Sequence, residues 1–429
     1  MPDLGEKAGV MERFDIEGGR KLWGSVRLKG AKNTVLPLIA ASLLTDEETV
    51  IRDCPDIVDV STMLKIVRAL GSAAYRDGDD IVTRGRITNF EIPKELACEM
   101  RSSVFLLGTM LSVLGRAETT FPGGCAIGAR PVDIHMHGLG ALGAKVEYIG
   151  DTIRLTSDGL KGADIKLSFP SVGATENVMM AATLARGETT IINAAREPEI
   201  VDLANMLNMM GAKISGAGTS VIKIIGVDAL RGIKYTPMPD RIVAGTLIAA
   251  TVACGGRVEI TNCPESFSDY LSAIIKSDTC NICSKYGITT VESYGILPGL
   301  GTIETGPYPM FPTDMQAQIC ALAACSDGET TVIENVFENR YAHLYELEKL
   351  GAKISIYGNM AKITGKGFLV GGDMMAHDLR GGAGLLIAAM AAAGKSTLSN
   401  VRVIDRGYEN IEKMFSALGA KITRTIIIP

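Results

Sequence analysis

The sequence predicts an α/β fold of six βαβαββ-type units of about seventy residues, three to each of two domains, and three observations carry that reading. A Gly-Ala-Lys signature returns along the chain as LGAKVEY at Leu142, MGAKIS at Met210, LGAKISI at Leu350 and LGAKITR at Leu418, with LGSAAY at Leu70 as a weaker copy. Its glycines, Gly71, Gly143, Gly211, Gly351 and Gly419, are spaced by 72, 68, 140 and 68 residues. The doubled interval hides a sixth copy, placed at Ile275 to Cys283, where IKSDTCNIC has lost the Gly-Ala pair. Each unit also carries one stretch that is apolar nearly all round and one that is amphipathic, so one buried helix and one half-exposed helix are expected per unit.

In chain order the buried helices are expected at Val35 to Leu44, Ser103 to Leu114, Asn177 to Ala185, Ile242 to Ala253, Met315 to Ala324 and Ala383 to Ala393. A Gly-led strand follows, as in GETTIINAA from Gly187, GRVEITNCP from Gly256, GETTVIENV from Gly328 and GKSTLSNVR from Gly394. The amphipathic helix then runs to the signature glycine, which serves as its C-cap. Strands such as AKVEYI and DTIRLT close the unit. A sheet with one apolar face cannot bury it alone, so three units around three inner helices make one closed domain. The chain is expected to cross between domains near Gly30 to Asn33 and near Pro237 to Arg241. The first strand, Arg13 to Ile16, is expected to pair with the last, Lys421 to Ile428. That divides the chain into residues 32–240 and a discontinuous domain of 1–31 plus 241–429, with a hinged cleft between them.

Of 429 residues, 47% are hydrophobic and 21% charged, with a formal net charge of -5. There is no basic footprint for nucleic acid, yet 43 Lys and Arg can still gather in one cleft around an anionic small molecule. The N-terminus has no signal-peptide core, and the longest apolar run, Gly384 to Gly394, is too short to cross a bilayer. Nine cysteines without framework spacing suit reduced thiols in the cytoplasm, and Cys280 and Cys283 read as packing. No His, Cys and carboxylate cluster has metal-ligand spacing, so neither metal nor cofactor is expected.

One loop stands apart: FPGGCAIGARPVDIH, Phe121 to His135. It sets Cys125 among small residues with Arg130 five positions on, and a neighbouring guanidinium lowers a thiol's pKa. Backbone N–H groups at Gly123, Gly124 and Gly128 can crowd an anion while Arg130 forks onto its oxygens. The alternative is a tight turn with a small buried cysteine.

With KGAKN at Lys29, PGGCAIGARPVDIH at Pro122, PSVGATEN at Pro170, AAREPEIVD at Ala194, FPTDMQAQ at Phe311, VFENR at Val336, DLR at Asp378 and DRGYE at Asp405, the chain resembles the UDP-N-acetylglucosamine 1-carboxyvinyltransferase family of enolpyruvyl transferases from about Phe14 to its end. The resemblance implies a two-domain inside-out α/β barrel. It also implies transfer of the enolpyruvyl group of phosphoenolpyruvate to the 3'-hydroxyl of UDP-N-acetylglucosamine, the first committed step of peptidoglycan synthesis. The partners would be those two small molecules, with no nucleic acid or membrane, and the chain a monomer or weak homo-oligomer.

Residue by residue, the resemblance implies that Lys32, Asn33, Arg130, Arg340, Arg380 and Arg406 bind phosphoenolpyruvate. It implies that Arg101, Arg130, Pro131, Val132, Asp133, Ile134, Ser171, Val172, Gly173, Asp314 and Val336 bind the nucleotide sugar. Cys125 would act as acid, carry a covalent pyruvate-type adduct and be alkylated by the epoxide fosfomycin. Asp314 would be the base on the 3'-hydroxyl, with Lys32 and Arg406 also catalytic. For Asn33 and Asp314 a helix N-cap is an equally open reading of the residues. Glu197, Glu199 and Asp240 are expected to organise arginines or lysines, and His137, His343 and His377 to be structural or solvated. The fourth unit and the first twelve residues depart from the family pattern. Two rivals are the sister transferase acting on shikimate 3-phosphate, which lacks the cysteine loop, and a non-catalytic UDP-sugar sensor.

Overall fold

A computed structural model of the chain describes residues 11–121 and 132–427. Among these, the buried apolar side chains form two clusters, one drawn from residues 35–235 and the other from 14–28 together with 242–422. Each cluster is centred on three helices that are hidden on every side. Those of the first are Lys32–Ser42, Leu106–Leu114 and Val172–Thr183, and those of the second are Arg241–Cys254, Gln316–Cys325 and Leu379–Ala391. Small residues let their backbones approach. A Cβ on Gly384 would lie 2.6 Å from the Ala317 carbonyl oxygen, and one on Gly108 would lie 2.4 Å from that of Asn177.

The described strands form six sheets, five of four strands and one of three. In the second half, Gly301–Glu304, Asp327–Ile333, Met360–Lys366 and Lys353–Tyr357 lie in that order across one sheet. A second sheet repeats the plan with Leu22–Arg27, Gly256–Thr261, Ile288–Ser293 and Cys280–Lys285. In the third, Asp373–Met375 and Lys395–Ser399 are followed by the N-terminal strand Met11–Glu17 and then by Lys421–Ile427. Phe14 pairs with Leu398 on one side and Arg424 on the other, as the expected pairing of first and last strands requires. The beginning of the chain thus supplies the strand that the sixth unit lacks.

Where the chain passes between the two clusters, the Ala31 N–H donates to Met238 O at 2.9 Å and the Asp240 N–H to Lys29 O at 3.0 Å. In the fourth unit, Cys280 and Cys283 fall on opposite faces of one strand. Cys280 is half-buried, whereas Cys283 is exposed and so does not pack, contrary to expectation. The second inner helix is also shorter than Ser103 to Leu114, because Met100 is extended and Arg101–Phe105 winds as a 3-10 turn. The first, third, fourth and sixth begin one to five residues earlier than their apolar stretches suggest, and the fifth begins one residue later. This matters for function, since it puts Lys32, Arg241 and Arg380 in the first turns of inner helices.

Candidate active site

Helix N-termini carry a positive partial charge, so a cation in the first turn is unfavourable unless an anion answers it. The answering carboxylates are built in. Asp240 accepts from the Ile242 and Val243 N–H groups and caps its helix, and its other oxygen takes the Lys32 N–H at 3.1 Å. Asp378 accepts from the Arg380 and Gly381 N–H groups in the same way. Arg241 is buried against Glu199, Nε to Oε1 at 2.9 Å.

Two further carboxylates gather the predicted cations. Asp59 lies 2.8 Å from Lys32 Nζ through Oδ2 and 2.9 Å from Arg406 Nε through Oδ1, joining one cation from each half. Asp314 accepts from Arg340 Nη2 at 2.8 Å and Arg380 Nη2 at 3.1 Å, and from Asn33 Nδ2 of the other half at 3.3 Å. Lys32, Asn33, Arg340, Arg380, Arg406 and Asp314 are thereby brought together from five separate segments. The Nε atoms of Arg340 and Arg380 are buried without a hydrogen-bond acceptor among the described residues, leaving donor capacity inside the site.

Burial pushes the Lys32 ammonium below its ordinary range, and the Arg380 and Arg406 charges add to that although Asp59 opposes it. Burial works to raise the Asp59 carboxyl, but Lys32 and Arg406 outweigh it and hold it below the usual range. The two directions agree on an ionised Asp59 facing a lysine that holds its proton less firmly than usual. Burial also opposes the Arg380 charge, and Asp314 leads the groups that outweigh it.

Neither helix-cap alternative holds. Asn33 follows the Ala31 cap and turns its amide to Asp314. Asp314 lies in a 3-10 turn, Thr313–Met315, and the inner helix that follows has Met315 at its cap position with no side-chain cap bond. Thr313 is held by both Glu334 oxygens and receives Arg340 Nη1 at 2.7 Å, so the loop before the fifth inner helix is fixed from behind.

Of the acidic positions expected to organise cations, Glu199 does so, while Asp240 takes backbone N–H groups. Glu197 likewise accepts from the Tyr308 N–H at 3.2 Å, across the two halves, and among the described residues no arginine or lysine donates to it. Asp240 takes N–H groups because it caps its own helix, where main-chain donors are nearest, whereas Glu197 makes no side-chain bond to the helix it precedes and meets the Tyr308 loop instead. His343 is 1% exposed and lies behind Arg340, and burial lowers it to about 4, so it is neutral. His377 meets Glu346 and His137 is exposed.

For the nucleotide sugar, Val132, Asp133 and Ile134 open the helix Asp133–Ala141 beside the Ser171–Gly173 turn. A Cβ on Gly173 would lie 2.8 Å from Phe105 Cε1 and 3.1 Å from His135 Cε1, so these segments are in contact. Ser171 caps the third inner helix through the Ala174 N–H at 3.3 Å. Val336 sits on the loop carrying Arg340, its N–H donated to Glu334 Oε1. Cys125, Arg130 and Pro131 lie outside the described residues, as does the side chain of Arg101.

The family described as EPSP synthase (3-phosphoshikimate 1-carboxyvinyltransferase) matches residues 16–415. The chain is 47% identical over 417 residues to UDP-N-acetylglucosamine 1-carboxyvinyltransferase 2 of Carboxydothermus hydrogenoformans, covering 96% of this chain and 99% of the relative. It is 45% identical over 419 residues to UDP-N-acetylglucosamine 1-carboxyvinyltransferase of Finegoldia magna, with the same coverage. The chain belongs to the UDP-N-acetylglucosamine 1-carboxyvinyltransferase family. Among solved structures, the enolpyruvyl transferase NikO from Streptomyces tendae superposes with a TM-score of 0.86 at 25% identity, over 98% of this chain and 100% of that one. EPSP synthase from Acinetobacter baumannii, at 18% identity and a TM-score of 0.74 over 96% of this chain and 100% of that one, shares the fold. The expected enolpyruvyl transferase-like α/β fold is therefore the observed one.

Against this carboxyvinyltransferase background, sequence reasoning missed Asp59 and Glu334. Asp59 carried a signal: it is a carboxylate in the first turn of the amphipathic helix Val58–Ala69, at a position that packs inward and is 2% exposed. A buried acid on an apolar face calls for cations to meet it. Glu334 had only the turn residues around it as a hint.

Proposed function

We propose that this chain, in the cytoplasm, transfers the enolpyruvyl group of phosphoenolpyruvate onto the 3'-hydroxyl of UDP-N-acetylglucosamine and releases phosphate, a step in peptidoglycan synthesis. The observation that carries the reading is the convergence of Lys32, Arg340, Arg380 and Arg406 from both halves around Asp59 and Asp314. Phosphoenolpyruvate bears close to three negative charges, and taking it out of water demands several cations in one place. We read residues 32–240 and 1–31 plus 241–429 as two domains whose approach assembles that clamp.

In this reading the 3'-hydroxyl attacks carbon 2 while carbon 3 takes a proton, giving a tetrahedral adduct. A proton then leaves carbon 3 and phosphate leaves carbon 2. Asp314 accepts the hydroxyl proton, its carboxylate aimed by Arg340, Arg380 and Asn33. Lys32, Asn33 and the four arginines Arg130, Arg340, Arg380 and Arg406 hold the phosphate and carboxylate, and Cys125 serves as acid and adduct site. Arg101, Arg130, Pro131, Val132, Asp133, Ile134, Ser171 to Gly173 and Val336 hold the nucleotide sugar, with the N-terminus of the helix Val172–Thr183 offered to the diphosphate.

Phosphate release from phosphoenolpyruvate with each acceptor tests this. UDP-N-acetylglucosamine should support turnover and shikimate 3-phosphate should not. The reverse outcome would identify the sister reaction, and tight UDP-sugar binding without phosphate release would identify a sensor.

A further inference from the structure

Arg406 reaches the cleft from the end of a short 3-10 turn, Val401–Arg406, which is a weak support for a charged side chain that must be aimed. Its neighbour Asp405 points the other way, into a cluster that the site does not include. There Arg424, on the last strand, donates from Nη1 to Asp405 Oδ2 at 2.8 Å and from Nη2 to Asp405 Oδ1 at 2.6 Å. Its remaining N–H groups go to Glu12 at 2.8 Å and to the two Glu412 oxygens at 3.2 Å each. A guanidinium has five N–H donors, and here all five are matched to three carboxylates, with the plane over the Phe14 ring at 4.9 Å. One side chain thus ties the first strand, the turn carrying Arg406, the helix Ile411–Ala417 and the last strand.

We infer that Arg424 is a positioning residue for the proposed phosphate clamp, holding Asp405 so that Arg406 is directed across the cleft to Asp59. The inference rests on the functional reading for what Arg406 binds, but not for where it points. Without Arg424, Glu12, Asp405 and Glu412 would stand as three anions with the half-exposed Arg402, 3.8 Å from Glu12, as the cation left beside them. Asp405 would lose both of its bonds to the last strand, and the turn that carries Arg406 would no longer be fixed in the direction of Asp59. A lysine restores one charge but not the fork, since its three donors cannot bridge both Asp405 oxygens and reach Glu12 and Glu412 together.

The test uses the full chain with Arg424→Met and Arg424→Lys, each with and without Asp59→Asn, in urea unfolding and in steady-state kinetics. If Arg424 directs Arg406 to Asp59, the effect of Asp59→Asn on the unfolding constant should shrink at least about threefold when Arg424 is Met. Additive effects overturn the inference. In kinetics, Arg424→Met should raise KM for phosphoenolpyruvate about tenfold while KM for UDP-N-acetylglucosamine stays within about twofold, with Arg424→Lys between. An equal rise in both, or lower stability with unchanged KM values, marks a merely structural residue and overturns it. Should the unsubstituted chain release no phosphate from phosphoenolpyruvate with UDP-N-acetylglucosamine, the functional reading fails and the unfolding cycle alone decides the positioning. If Arg424→Met does not fold, Arg424→Lys carries both measurements.

Discussion

Asp59 and Asp314 each hold two cations in one site, yet they differ in what surrounds them. The Asp59 side chain is 3% exposed, sits in the half built on residues 35–235, and is shared between Lys32 of that half and Arg406 of the other. The Asp314 side chain is 27% exposed and binds two arginines of its own half, with Asn33 among its contacts across the cleft. A carboxylate sealed in this way cannot reach a substrate hydroxyl. It can neutralise cations that would otherwise repel one another, and it can join the halves. A carboxylate with an open edge, aimed from behind by two guanidiniums, can accept a proton. Equal pairing therefore conceals unequal work, and exposure is what separates the two.

The largest effect should come at the open one. Asp314→Asn is expected to lower turnover by about two to four orders of magnitude with nucleotide-sugar binding retained by calorimetry. Near-normal turnover would collapse the distinction. Asp59→Asn should act first on stability, because it leaves Lys32 buried without its counter-ion. About 3 kcal/mol in urea unfolding is expected, at the low end for a broken buried pair since Arg406 is partly solvated. A large loss of turnover with unchanged stability would make Asp59 a reacting group.

The same contrast extends to the buried ionisable groups behind each carboxylate. His343, behind Arg340, titrates near 4 in the fold against 6.5 in the unfolded chain, so the unfolded state binds the extra proton between those values. Stability should fall as pH drops from 6.5 towards 4, by roughly 3 kcal/mol in all, and His343→Gln should flatten that slope in chemical unfolding at stepped pH. Glu176 has the opposite sign. Burial, with Glu199 and Glu197 nearby, raises its carboxyl well above 4.5, and neither oxygen has a hydrogen-bond partner among the described residues. The folded state then keeps a proton that the unfolded state has lost, and stability falls as pH rises above 4.5. Glu176→Gln should remove this alkaline slope with the smallest change in activity of the four variants. A retained slope would place the titration on another group.

The six units were legible because their constraints are local. Residues such as Val35 to Leu44 and Ala383 to Ala393 are apolar on every side, and only a helix enclosed by sheets satisfies that pattern. The degenerate fourth unit was placed by spacing alone, and the strand Cys280–Lys285 stands there. The cation set was legible through motifs, since Lys32, Arg340, Arg380 and Arg406 each sit in a recognisable string of residues.

Their counter-ions were much less so. Nothing in IVDVSTML says that Asp59 will meet a lysine 27 positions before it and an arginine 347 positions after it. Nor does the last strand reveal that Arg424 will enclose the acid beside Arg406. The chain by itself determined the repeating elements, the buried faces and the residue types that anion chemistry needs, because periodicity and side-chain chemistry act over a few residues. Tertiary structure alone decided which acid answers which base and which carboxylate stays open to solvent. Ion pairing depends on distances of about 3 Å between side chains brought together by packing, and no local pattern encodes those.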